Sequence, residues 1–267
     1  MDARFETIEV GEGAGARSIA VDRRSGGAPG LFWLGGYRSD MVGSKALALD
    51  AHAATEGLAL TRFDYSGHGV SGGRFEDGTI SRWQEEAQAV FATTTGPQIV
   101  IGSSMGGWMA LLLARAHLAA VGRAGSRIAG MVLVAPAPDF TEELMWADFP
   151  EAVRRALLDE GIFRGPANAD GECLVVTRAL IEDGRNHLLL GGTIETGCPV
   201  AILQGKRDES VPWRHALRLS ERLALDDATV TFVDDGDHRL SRPQDLDLLL
   251  KTVDEMAANV AGRRPAP

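Results

Sequence analysis

Three observations predict an α/β protein with a mostly parallel central sheet, helices on both faces and a helical cap insertion. Short apolar runs bounded by Gly or Pro alternate with longer stretches of helical spacing, as in successive strand–helix–strand units. The runs are nearly continuous in apolar residues, which suits strands buried on both faces. The alternation then breaks once, over 138–197, where helical spacing persists without a core strand.

Strands are expected at 30–34, 58–63, 98–101, 130–135, 200–203 and 229–233, and helices at 45–55, 83–93, 104–120, 215–224 and 243–260. The first residues read as a hairpin, with Phe5, Ile8 and Val10 followed by Ile19 and Val21. Residues 1–137 and 198–267 are therefore expected to form the core, and 138–197 a cap over the C-terminal ends of the strands, where ligands bind in open α/β sheets. No internal repeat or low-complexity linker interrupts this order.

Composition narrows the function. The 267 residues include 27 Lys plus Arg and 37 Asp plus Glu, a net charge of −10. That balance argues against a nucleic-acid partner, which needs clustered cations. The two cysteines, Cys173 and Cys198, are too few for a disulfide framework or a four-ligand metal site, and are expected to be buried as small hydrophobes. The N-terminus resembles neither a signal nor a transit peptide. No apolar stretch is expected to approach the roughly 18 residues that span a bilayer. The expectation is a soluble, cytoplasmic protein.

The chemistry is expected at Gly102-Ser103-Ser104-Met105-Gly106, followed by Gly107. A strand pattern precedes this pentapeptide and a helix pattern follows it, the context in which G-x-S-x-G marks a nucleophile elbow. So sharp a turn demands small flanking residues and lifts Ser104 to a helix N-terminus, where amides and dipole favour a developing oxyanion.

A serine needs a base. Of six histidines, His52 and His117 fall within helical patterns, His215 near the start of one, His187 in the cap, and His68 in a glycine-rich loop where it reads as structural. His238 follows the last strand and precedes the last helix, the place of the base in the order Ser, acid, His. Asp208, on the loop after the preceding strand, is the expected acid, with Glu209 its nearest competitor. Asp235 and Asp237 read as turn residues. The oxyanion donors are expected to be the N–H of Met105 and that of Tyr37, with Gly36 the alternative to Tyr37; Gly35 and Gly36 would let that backbone approach the carbonyl.

These motifs, together with Arg62-Phe63-Asp64-Tyr65-Ser66-Gly67, Val211-Pro212-Trp213 and Asp237-His238-Arg239, resemble the alpha/beta-hydrolase superfamily. More narrowly, they resemble its branch of acyl-protein thioesterases and acyl-glucuronide esterases, from about Gly30 to the final helix. The resemblance places Ser104, Asp208 and His238 at the triad positions. It implies hydrolysis of fatty thioesters, including those of acylated proteins, and of acyl-glucuronide esters. Gly35 departs from a proline that many relatives carry before the oxyanion loop.

Such chemistry requires no metal or organic cofactor. The substrate is expected to be a small-molecule ester or thioester or an acylated protein, with Trp108, Trp146, Phe149 and Leu144 lining an acyl pocket. His187, Arg185 and Arg239 would meet polar groups. The rival classes are a serine peptidase or aminopeptidase-like hydrolase, a catalytically silent binding protein on the same fold, and an acyltransferase. Acyl-chain length and oligomeric state are not written in these motifs.

Overall fold

Residues 5–167, 173–223 and 225–262 are described by a computed structural model. Residues 168–172 of the expected cap, 224 at the end of an expected helix, and 1–4 and 263–267 of the expected core lie outside them. A hairpin of β1 (Glu6–Val10) and β2 (Arg17–Arg24) leads into β3 (Gly27–Leu34), α1 (Ser44–Glu56), β4 (Leu58–Phe63), α2 (Ile80–Ala92), β5 (Gln98–Ser103), α3 (Met105–Gly125) and β6 (Ile128–Val134). After the intervening segment come β9 (Val200–Gly205), α6 (Trp213–Arg222), β10 (Ala228–Val233) and α7 (Pro243–Gly262). Between β6 and β9 lie a π-helical turn (Thr141–Trp146), α4 (Glu151–Glu160), β7 (Ile162–Ala167), β8 (Cys173–Thr177) and α5 (Arg178–Gly184).

The eight-stranded sheet has the order β1-β2-β4-β3-β5-β6-β9-β10. From β4 to β10 every pairing is parallel; β1 and β2 add an antiparallel edge. Alternate residues of each strand feed opposite faces. Val100 of β5 joins the layer of α2, α3 and α6, whereas Ile99 and Ile101 join that of α1 and α7. Every residue of β5 is buried, which explains its unbroken apolar run.

The segment between β6 and β9 differs from an all-helical cap. Besides its helices it holds β7 and β8, an antiparallel pair separate from the main sheet. Val175 and Val176, read as helical, are strand residues; their β-branched side chains suit a pleated ribbon better than a helix. This segment packs its own small core of Leu157, Val176 and Ile181. At its start, Asp139 accepts the Leu189 and Leu190 amides and His215 Nε2 donates to Pro138 O at 2.7 Å.

Two other expectations are corrected. By length and composition α3 is apolar enough to cross a membrane. Its first ten residues, Met105–Ala114, are all buried, so its apolarity serves the layer beneath the sheet. Cys198 is buried, but Cys173, at the start of the β8 edge, is only half-buried.

Candidate active site

Ser104 sits between β5 and α3 with φ 55° and ψ −117°, a conformation that a non-glycine residue holds only under constraint. The constraint is visible. Its N–H donates to Val134 O at 2.9 Å, and its carbonyl accepts the amides of Gly107 at 2.9 Å and Ala137 at 3.1 Å. A Cβ on Gly102 would lie 2.3 Å from Gly106 O, and one on Gly106 would lie 2.0 Å from Leu34 O. Both obstacles are backbone, so neither glycine can be replaced without moving the turn.

His238 Nε2 lies 3.1 Å from Ser104 Oγ, and its Nδ1 lies 2.8 Å from Asp208 Oδ2. An ionised carboxylate only accepts, so Nδ1 carries the ring proton and Nε2 faces the serine as an acceptor. Asp208 is buried; its Oδ1 accepts the amides of Ser210 at 2.9 Å and Val211 at 2.7 Å, and its Oδ2 also accepts Gln204 Nε2 at 3.1 Å. Four donors thus fix this carboxylate. The competing Glu209 is exposed. Asp237 accepts the Leu240 amide and Asp235 pairs with Arg242, turn roles both.

The other five histidines are engaged elsewhere: His52 with Asp254, His117 with the Arg127 amide, His187 with Ser81, His215 with Pro138 O, and His68 with the Arg38 amide.

Met105 is the first residue of α3, where helix amides lack an intrahelical partner. Opposite it runs the loop after β3. A Cβ on Gly36 would lie 3.5 Å from Ser104 Cβ, so Gly36 and Tyr37 pass directly beside the serine. The Tyr37 hydroxyl donates to Val175 O of β8, linking this loop to the segment above it; burial pushes its pKa up.

A cavity of about 400 Å³ opens at Ser104 and His238, lined by Tyr37, Phe140, Leu144, Met145, Phe149, Leu174 and Val211. A second, of about 510 Å³, shares Tyr37, Ser104 and His238 and is bounded by Arg38, Ser39, Asp40, Lys45, Arg239 and Ser241. Lys45 Nζ donates to Arg239 O and Ser241 Oγ, and burial pushes its pKa down to about 8. Among the described residues, no three His, Cys, Asp or Glu side chains gather as a metal ion would require.

Of the expected lining residues, Phe149 and Leu144 reach the first cavity, and three others do not. Trp108 is 0 % exposed beneath Phe140, its indole donating to His187 O at 3.3 Å. Trp146 packs in the small core of the inserted segment between the guanidinium groups of Arg154 and Arg185. The His187 ring turns away to Ser81 Oγ at 2.7 Å. The same arrangement holds Arg185 against Glu142. Phe140, Met145 and Leu174 went unread because a π-helical turn and a short hairpin, neither with a sequence pattern of its own, carry them to the site.

The chain matches the alpha/beta hydrolase family over residues 25–247. It is 32% identical over 241 residues to the human mitochondrial palmitoyl-protein thioesterase ABHD10, a match covering 90% of this chain and 76% of that protein. Among solved structures it resembles a putative hydrolase from Agrobacterium vitis S4, with TM-score 0.90, 49% identity, and 95% and 98% of the two chains covered. Mouse alpha/beta hydrolase domain-containing protein 10 follows with TM-score 0.82, 29% identity, and 96% and 99% covered. With a 223-residue family match and relatives spanning nine-tenths of its length, the chain belongs to the alpha/beta hydrolase family.

Proposed function

We propose that the protein is a serine hydrolase of carboxylic esters and thioesters, acting through Ser104, His238 and Asp208 and a covalent acyl-enzyme. The observation that carries this is the continuous hydrogen-bonded chain from Ser104 Oγ through His238 to the buried Asp208, opening on the two cavities. Ser104 Oγ attacks the carbonyl carbon as His238 Nε2 takes its proton. The N–H groups of Met105 and Tyr37 stabilise the oxyanion; such a donor is worth about 10²–10³ in rate. Asp208 holds the imidazolium by its Nδ1–H. The tetrahedral intermediate collapses as His238 protonates the leaving thiol or alcohol. Water, deprotonated by His238, then attacks the acyl-enzyme, and the proton returns to Ser104 as the acid departs.

The two cavities suggest opposite ends of one substrate. The acyl chain occupies the cavity of Phe140, Leu144, Met145, Phe149 and Leu174, while the cavity of Ser39, Lys45 and Arg239 receives a polar leaving group. A fatty thioester agrees with this division and with the name of the human relative; an acyl glucuronide agrees with it too. Asp148 and Glu209 line the apolar cavity but are exposed, so they favour a peptide-amine site only weakly.

The test assays the protein and Ser104→Ala on acyl thioesters of increasing chain length, oxygen esters, acyl glucuronides and aminoacyl arylamides. The expected result is thioester or ester turnover lost by several powers of ten in the variant. Turnover that survives Ser104→Ala, or that is confined to arylamides, overturns the proposal.

A further inference from the structure

The loop that carries Tyr37 is a strained turn held by a side chain outside the reaction. Gly36 O accepts the Ser39 amide at 3.1 Å, closing a four-residue turn with Tyr37 and Arg38 at its centre. Arg38 has φ 59°, whereas Tyr37 has negative φ. That combination is a type II turn, which normally places glycine at its third position. An arginine there costs about 1–2 kcal/mol. Rotating the Tyr37–Arg38 peptide would relieve the strain, since the resulting type I turn accepts most residues.

One contact opposes that rotation. The Arg38 N–H, which belongs to that very peptide, donates to His68 Nε2 at 3.1 Å. An acceptor at Nε2 requires the ring proton on Nδ1, and Nδ1 lies 3.2 Å from Ser66 O, its acceptor. The ring is clamped among Tyr65, Phe75 and Trp83. Its turn is equally fixed: a Cβ on Gly67 would lie 2.5 Å from Phe75 Cα, and one on Gly69 would lie 1.9 Å from Asp64 Oδ2. Ser66 N–H donates to the buried Glu86, and Asp64 accepts the Met41 amide at 2.7 Å. Burial holds the His68 pKa down to about 4, which keeps the acceptor in place near neutrality.

We propose that His68 is a positioning residue for the oxyanion loop: by accepting the Arg38 N–H it locks the turn that sets the Tyr37 backbone beside Ser104. This rests on the serine-hydrolase reading above. His68 touches no reacting atom and acts only through the peptide it holds.

The experiment compares the native protein with His68→Phe, which keeps an aromatic ring but removes the acceptor, with Arg38→Gly, and with the double variant. Each is assayed for hydrolysis, for affinity toward a trifluoromethyl ketone that forms a tetrahedral adduct with serine, and for affinity toward the product acid. His68→Phe is expected to lose about tenfold to a hundredfold in kcat and in ketone affinity, with product affinity changed less than twofold. Glycine adopts the left-handed turn without strain, so Arg38→Gly is expected to restore most of the ketone affinity in the His68→Phe background. His68→Asn, whose amide falls short of the Nε2 position, supplies the same reading should the phenylalanine variant fail to fold. Hydrolysis and ketone affinity within twofold of native in a folded acceptor-less variant overturn the proposal, as does a double variant no better than His68→Phe. If the native protein shows no Ser104-dependent turnover, the hydrolase reading fails and this inference falls with it.

Discussion

His68 makes a stability prediction independent of any substrate. Its ordinary pKa is 6.5, and burial lowers it to about 4 in the folded protein, the nearby Arg38 charge acting in the same direction and the Ser66 hydrogen bond opposing it. Of the other charged groups around its turn, Asp64 is engaged by the Met41 and Val70 amides, and Glu86 by Arg17 and the Ser66 amide. Above pH 6.5 both folded and unfolded chains carry a neutral ring, so His68 adds no pH dependence. Between 6.5 and 4 the unfolded chain takes up a proton that the folded chain refuses, and stability falls with pH. Below 4 both states are protonated and the effect levels off. The gap corresponds to about 3 kcal/mol in total, with about 2 kcal/mol developed by pH 5. Denaturant unfolding of the native protein and His68→Phe at pH 7.5, 6 and 5 isolates this contribution. The shifted histidines His117, His187 and His215 are common to both proteins and cancel. The native advantage should shrink by about 2 kcal/mol between pH 7.5 and 5. Parallel curves, with a constant difference across that range, refute the assignment of a neutral, proton-refusing His68.

Asp208→Asn should lower kcat by about 10⁴, because the Ser210 and Val211 amides retain the side-chain oxygen and leave the amide nitrogen facing His238 Nδ1; an intact kcat would remove Asp208 from the mechanism. Tyr37→Phe deletes the hydrogen bond to Val175 O and should cost about 1 kcal/mol of stability, with faster hydrogen exchange in β8; unchanged exchange there would show that the tether does not hold the hairpin. Phe149→Ala should weaken selectivity for long acyl chains, whereas Trp146→Ala, outside the cavity, should leave selectivity unchanged and cost about 1–3 kcal/mol of stability. Chain-length profiles and thermal melts separate the two, and a profile altered by Trp146→Ala would place that ring in the substrate path.

What the sequence disclosed is what local chemistry constrains. Gly102, Gly106 and Gly107 are written into the chain because a Cβ at any of them meets Gly106 O, Leu34 O or Pro136, so their spacing points to a sharp turn and to Ser104 at its apex. The expected strand over 58–63 coincides with β4 because Gly57 ends the preceding helix and Leu58, Leu60 and Phe63 supply apolar residues on both sides of Thr61 and Arg62. His238 and Asp208 followed from chain order, since each lies on the loop after a strand that such a sheet must contain. The inserted segment obeys no such rule. The stretch 175–181 reads as helical, yet Val175 and Val176 form a strand because Arg164 and Phe163 pair with them, and pairing overrides a weak local preference. Trp108 illustrates the opposite error: an aromatic residue one turn from the serine lies on the inner side of α3, so nearness in sequence placed it under the sheet.

The loop that carries Tyr37 shows why the remainder was hidden. It passes beside Ser104 at Gly36 and is held by Asp64 and His68 at the Met41 and Arg38 amides and by Val175 at the Tyr37 hydroxyl. Those contacts span sequence separations of 23, 30 and 138 residues for Asp64, His68 and Val175. None leaves a periodicity, and the residue types involved, a carboxylate, an imidazole and a carbonyl, are individually commonplace. Only the sign of φ at Arg38 betrays that the loop is held against its own preference. Strain of that kind persists where neighbouring structure over-determines it, and here the neighbours come from the turn after β4 on one side and the inserted hairpin on the other. A loop so placed transmits to the serine's surroundings both the packing of the core and the position of the segment above it. Its geometry therefore depends on the whole fold, whereas the Ser104 turn depends chiefly on the glycines beside it.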